Sequence, residues 1–312
     1  MSPTPRRTYT PRAMQVGVML PLSDSDGPSG MPSFDEAAAI ARAVEDGGLD
    51  SAWLADHFLY RADDGQVYGL HEAWTWLAGM AAVTQRITLG HLVVCTSFRP
   101  PALTAKLAVT LDAISNGRFV LGLGCGWHEP EYDAMGLPFD HRVGRFEEAL
   151  RIIARLLVGE EVTEHGRFYD VERSILAPKP DRHISILVAA RKDRMLQLTA
   201  EHADLWNTAW YGAPDDRLRD QIAAFDSALA AAGRSRADVQ PTVGITVRDG
   251  EQPPVPEPDD RAVAGSVEEL AAVLGAYADL GVSQVMAGLE PLTVRSVNRL
   301  AEAVRLQRHA GR

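Results

Sequence analysis

Eight short apolar runs alternate with helical stretches along this 312-residue chain, and that rhythm most restricts what it can fold into. The runs are Met14–Leu20, Ser51–Ala55, Arg86–Cys95, a glycine-rich run ending at Gly124, Ile184–Ala189, Asp204–Thr208, Val239–Val247 and Gln284–Gly288. A helical pattern follows each. Ser33 and Glu36 fit a capping box before the first helix, and Ser266 and Glu269 fit another before the seventh. Pro100-Pro101 opens the third helix, and Phe146, Leu150, Ile153 and Leu157 form the apolar stripe of Arg142–Leu157. Gly48–Trp53 and Gly281–Met286 share one layout of helix stop, turn and strand. Eight strand–helix pairs predict a (β/α)8 TIM barrel with loop insertions rather than an open sheet. It occupies residues 14–312 as one domain, behind a frayed tail over 1–13. Two stretches interrupt the rhythm. Gly159–Asp181 separates the fourth helix from the fifth strand, and the acidic, proline-rich Asp249–Asp260 follows the seventh strand. The second reads as a mobile loop, either a lid or a solvated connector.

Composition narrows the partners. A net charge of -11 argues against nonspecific binding to nucleic acid. No apolar run approaches the roughly 20 residues that cross a bilayer. The first residues lack the apolar segment of a secretory signal, which points to the cytoplasm. Cys95 and Cys125 fit no Cys-x-x-Cys or zinc spacing, so free thiols in a reducing compartment are expected. No metal motif appears. A small molecule is left as the expected partner.

In such a barrel the loops after the strands carry the active site, so residues at those ends are the candidates. Gly122, Gly124 and Gly126 open the end of the fourth strand and would let a flat ligand approach the backbone. Trp127, His128 and Glu129 follow and can stack, move protons and accept hydrogen bonds. The three glycines are not a dinucleotide fingerprint, because the last is spaced two residues after the second. Asp56-His57-Phe58 ends the second strand; His57 can shuttle a proton and Asp56 can orient it. Thr96, Ser97 and Arg99 end the third strand, as ligand contacts or as caps of the helix begun at Pro100. Ala189-Ala190-Arg191-Lys192 ends the fifth, where cations and a helix N-terminus would hold a phosphate.

These residues carry a resemblance. Trp53–Phe58, Arg86–Gly90, Phe98–Leu103, Thr110–Arg118, the glycine block through Glu131, and Arg145–Leu150 are together similar to the luciferase-like oxidoreductase superfamily over roughly Val16 to Leu300. Asp-His-Phe after strand two resembles the coenzyme F420-dependent branch. That resemblance implies hydride transfer between F420 and a small organic substrate. His57 would face the deazaflavin ring beside Asp56, with His128 as a further catalytic candidate. A non-proline cis peptide at Leu92-Val93 would lie behind the ring. Thr96, Gly124, Gly126 and Trp127 would border the cofactor, and Ala189, Ala190, Arg191 and Lys192 would hold its phosphate. Where relatives commonly carry a run of glycines after strand five, this chain has Ala189-Ala190. Where some F420 dehydrogenases carry an acidic residue after the strand-four glycines, it has Trp127. The alternative readings are a monooxygenase using reduced FMN and oxygen, and a cofactor-binding protein without turnover. Relatives often form dimers, so a homodimer is expected.

Overall fold

The computed structural model describes residues 13–24, 26, 30–250 and 261–310. Among them eight parallel strands close into a ring: β1 (Gln15–Met19), β2 (Ser51–Leu54), β3 (Thr88–His91), β4 (Phe119–Gly124), β5 (Ser185–Ala189), β6 (Leu205–Tyr211), β7 (Gln240–Arg248) and β8 (Gln284–Glu290). Each pairs with the next, and β8 returns to β1. The helices between and after them are α1 (Phe34–Asp46), α2 (Ala73–Val83), α3 (Pro101–Ile114), α4 (Arg142–Leu157), α5 (Asp193–His202), α6 (Asp216–Ala231), α7 (Val267–Asp279) and α8 (Val294–Ala310). The expected barrel is therefore present.

Local chemistry explains most boundaries. Both capping boxes form, at Ser33 with Glu36 and at Ser266 with Glu269. Gly48 and Gly281 each adopt φ 76°, so the two similar segments share a left-handed helix stop that a side chain would resist. The stripe of α4 is buried against the barrel. Inside the ring Trp53, Leu187 and Met286 form a separate plug. A Cβ at Gly90 or Gly17 would collide with the Trp53 or Ser51 side chain, so the indole fits only because those strands lack one. Its Nε1 donates to Ser51 Oγ at 2.8 Å, and Gln284 Nε2 donates to the same oxygen at 2.7 Å. The buried polar atoms of the plug are thus satisfied.

The third strand stops at His91 and resumes over Val94–Cys95, with the expected cis Leu92–Val93 peptide between. Three features depart from the expected pattern. An antiparallel hairpin, Leu59–Arg61 with Val67–Gly69, follows β2. A second, Val162–His165 with Asp170–Ser174, occupies the Gly159–Asp181 insertion. A short helix, Glu129–Met135, follows β4 with His128 as its N-cap. The tail through residue 12 and the loop over 251–260 lie outside the described residues. Among the described residues no helix is long and apolar enough to cross a membrane.

Candidate active site

The predicted residues lie just past the C-terminal ends of β2 to β5, on one rim of the barrel. A cavity of about 470 Å³ opens there, within the size range of small-molecule sites. Its walls come from the ends of β1, β2, β6, β7 and β8, with Met19, His57, Tyr60, Trp210 and Leu289 among them. Of the predicted site residues, His57 alone lines it.

His57 is held by a residue not predicted as its partner. Its Nδ1 lies 2.9 Å from Glu131 Oε1, and the Phe58 N–H donates to Glu131 Oε2 at 3.0 Å. Both Glu131 oxygens are acceptors, which puts the His57 proton on Nδ1 and leaves Nε2 for the cavity. The Glu131 side chain is 1% exposed against 22% for His57, so the pair has a dry end and a wet end. A helix signature could have found Glu131. Pro130 in the first turn, acidic residues around it and Gly136 as a left-handed stop all mark Glu129–Met135.

Asp56 does not orient His57 as expected. Arg99 donates to its two oxygens at 2.7 and 3.0 Å, and the Cys95 N–H donates to Oδ2 at 3.2 Å. Arg99 also reaches Glu72 at 2.8 Å. Burial raises the Asp56 carboxyl above its ordinary range, with Arg99 opposing that rise. The group ties β2 to the third strand rather than working in the cavity.

His128 is similarly committed. Its Nε2 accepts the Arg61 N–H at 2.9 Å, and its ring stacks on Tyr60 with centroids 4.7 Å apart. Burial holds the imidazole below its ordinary value. It anchors the first hairpin. Thr96 is buried and donates to the Gly124 carbonyl at 3.3 Å. Trp127 is 60% exposed and meets the His57 ring edge-on at 5.9 Å.

The glycine wall serves the protein first. A Cβ on Gly122 would strike the His91 carbonyl, and one on Gly124 would lie 2.6 Å from the Val93 side chain. The space expected for a flat ligand is filled by the break in the third strand. Gly126, at φ 72°, backs onto the Tyr132 hydroxyl, which sits 2.9 Å from Cys95 Sγ. Burial pushes that thiol up to about 12, so it is not a nucleophile. Leu92 and Val93 pack on the interior plug beneath the mouth. Ala190 is buried, while Arg191 and Lys192 are exposed before α5, whose N-cap makes no side-chain hydrogen bond. Arg191 Nη2 donates to the Ala209 carbonyl.

A profile of the family described as luciferase-like monooxygenase matches residues 14–253. The chain belongs to this family. The pyrimidine monooxygenase RutA of Methylorubrum extorquens (strain PA1) is 37% identical over 208 residues, 62% of this chain and 55% of that protein. The RutA of Allorhizobium ampelinum is 30% identical over 236 residues, 70% of this chain and 64% of its own length. The chain thus spans little more than half the length of such relatives. Among solved structures, an F420-dependent secondary alcohol dehydrogenase superposes with TM-score 0.80 at 18% identity, covering 95% of this chain and 99% of that one. EDTA monooxygenase from Chelativorans sp. BNC1 superposes with TM-score 0.80 at 14% identity, covering 96% and 94%. Identities this low speak for the fold alone. The expectation of an F420-dependent hydride-transfer enzyme is therefore corrected: relatives with substantial sequence identity are named monooxygenases, and F420 enters only through distant structures.

Proposed function

We propose that this protein is a reduced-flavin monooxygenase that takes FMN and a small organic substrate at the barrel mouth. The observation that carries the reading is His57 on the cavity wall, held from behind by the buried Glu131, in a chain whose relatives are named monooxygenases. The residues suit a flavin. The mouth has aromatic and aliphatic walls, and Arg191 and Lys192 stand before the first turn of α5, whose N-cap makes no side-chain hydrogen bond; the cations, the free N–H groups and the helix dipole favour a phosphate there, against the one carboxylate of Asp193. Leu92 and Val93 pack on the interior plug beneath the mouth and back it from below. When bound, reduced FMN supplies the electrons that activate dioxygen. The chain's part is placement and proton control. Glu131 fixes the His57 ring and offsets the charge it gains on taking a proton at Nε2. Met19, Leu20 and Leu22 give the mouth an apolar wall.

The test is binding and turnover with isotope. Purified protein should bind FMN saturably. With a separate flavin reductase and ¹⁸O₂ it should place one labelled oxygen in the product, seen by mass spectrometry. Absence of FMN binding, or product oxygen drawn from water, refutes the reading.

A further inference from the structure

We propose that Trp210 is the specificity-determining wall of the cavity, on which the substrate, a planar unsaturated ring without negative charge, stacks beside His57. Calling the occupant the substrate rests on the monooxygenase reading. The wall itself is built by the strands. Thr208 pairs with Val243 and Tyr211 with Ile245, so β6 carries one residue more than β7 across this interval. Such a bulge re-aims a side chain, and bulges concentrate beside active sites. Here it turns Trp210 into the mouth, while Trp206 on the same strand is buried in the core.

The bulge has its own supports. A Cβ on Gly244 would lie 2.6 Å from the Ala209 Cβ and 3.0 Å from the Trp210 ring, and one on Gly288 would lie 3.9 Å from it. The indole therefore rests on bare backbone of β7 and β8 and lines the cavity. Two guanidiniums pin the bulged carbonyls: Arg191 on Ala209, and Arg261 Nη1 on Trp210 at 3.2 Å. A stacking platform held this firmly loses little freedom on binding. Charge supplies the second criterion. Among the described residues the lining includes the carboxylate of Asp26 and that of Glu290, which Arg248 pairs at 3.1 Å, and neither a lysine nor an arginine. An anionic substrate would find no cation on the wall and would face Asp26.

Calorimetric titration of the wild type, Trp210→Phe and Trp210→Leu with FMN, uracil, 5,6-dihydrouracil and orotate tests this, with thermal melts to show that each variant is folded. Wild type should prefer uracil over its saturated, puckered analogue and over the anionic orotate. Trp210→Leu should weaken uracil roughly ten-fold, as loss of a base–aromatic stack does. Trp210→Phe should retain most of the affinity, and FMN binding should be alike in all three. Equal uracil affinity in wild type and Trp210→Leu overturns the proposal, as does equal affinity for uracil and dihydrouracil, tight binding of orotate, or no uracil binding by the wild type. Weakened FMN with unchanged uracil would put the flavin against the indole and overturns it too. Uracil binding that depends on Trp210 in a protein that ignores FMN would keep the proposal and sink the monooxygenase reading.

Discussion

His91 makes the stability of this barrel depend on pH in a calculable way. The side chain is fully buried, with its ring 4.5 Å from Trp74 and 5.8 Å from Phe119, centroid to centroid. Neither ring nitrogen makes a hydrogen bond of ordinary geometry. Burial drives the imidazole from 6.5 down to about 3, with the Ala73 backbone opposing the shift and the Arg99 charge adding to it. Between those values the unfolded chain binds a proton that the folded protein refuses. Stability is therefore whole above about pH 6.5 and is lost as the pH falls toward 3. A gap of about 3.5 pH units, at about 1.4 kcal/mol each, gives a loss on the order of 5 kcal/mol, of which about 2 falls between pH 7 and 5. His91→Leu removes the titration and keeps an apolar side chain between the two rings. Urea midpoints of both proteins at pH 7 and pH 5 isolate the effect, because titrating carboxylates common to both cancel in the difference. The variant should gain about 2 kcal/mol on the wild type over that interval. Parallel curves would show that the ring keeps a partner in the folded protein and would refute the link between His91 and acid stability.

Other perturbations separate the roles around the mouth. Glu131→Gln offers one amide oxygen to two donors, so the ¹⁵N spectrum of His57 should show its proton leaving Nδ1, and turnover should fall roughly 10- to 100-fold, the worth of a charge-assisted hydrogen bond. An unchanged tautomer would remove Glu131 from its positioning role. Arg99→Met strands the Asp56 carboxyl in the interior and should cost about 3–5 kcal/mol in urea unfolding, with Asp56→Asn added to it restoring part of the loss. Gly126→Ala meets both a φ of 72° and the Tyr132 hydroxyl, whereas Gly136→Ala meets a φ of 66° in open space. The first should lower the melting temperature well beyond the second, whose left-handed penalty alone is about 1 kcal/mol.

What could be read from the chain was what nearby residues decide. Capping boxes, proline starts and glycine stops are local, and they placed eight strands and eight helices to within a few residues. The first hairpin escaped because its strands are three residues each, too short for alternation to speak. The site was legible only as a rim. Asp56 and His57 are neighbours in sequence and suggested a pair, yet alternate residues at a strand end diverge, and each found a partner far away: Arg99 at 43 positions, Glu131 at 74. The glycines of β4 show the same logic in reverse. Absent side chains promise room for a ligand, but Val93 and the His91 carbonyl take that room. The glycine backbone that lines the cavity is elsewhere, at Gly288 beside Trp210, on a strand whose glycine follows no motif. A glycine therefore marks close approach without saying who approaches. At β4 it is the neighbouring strand, and at β7 an indole turned by one extra residue in β6.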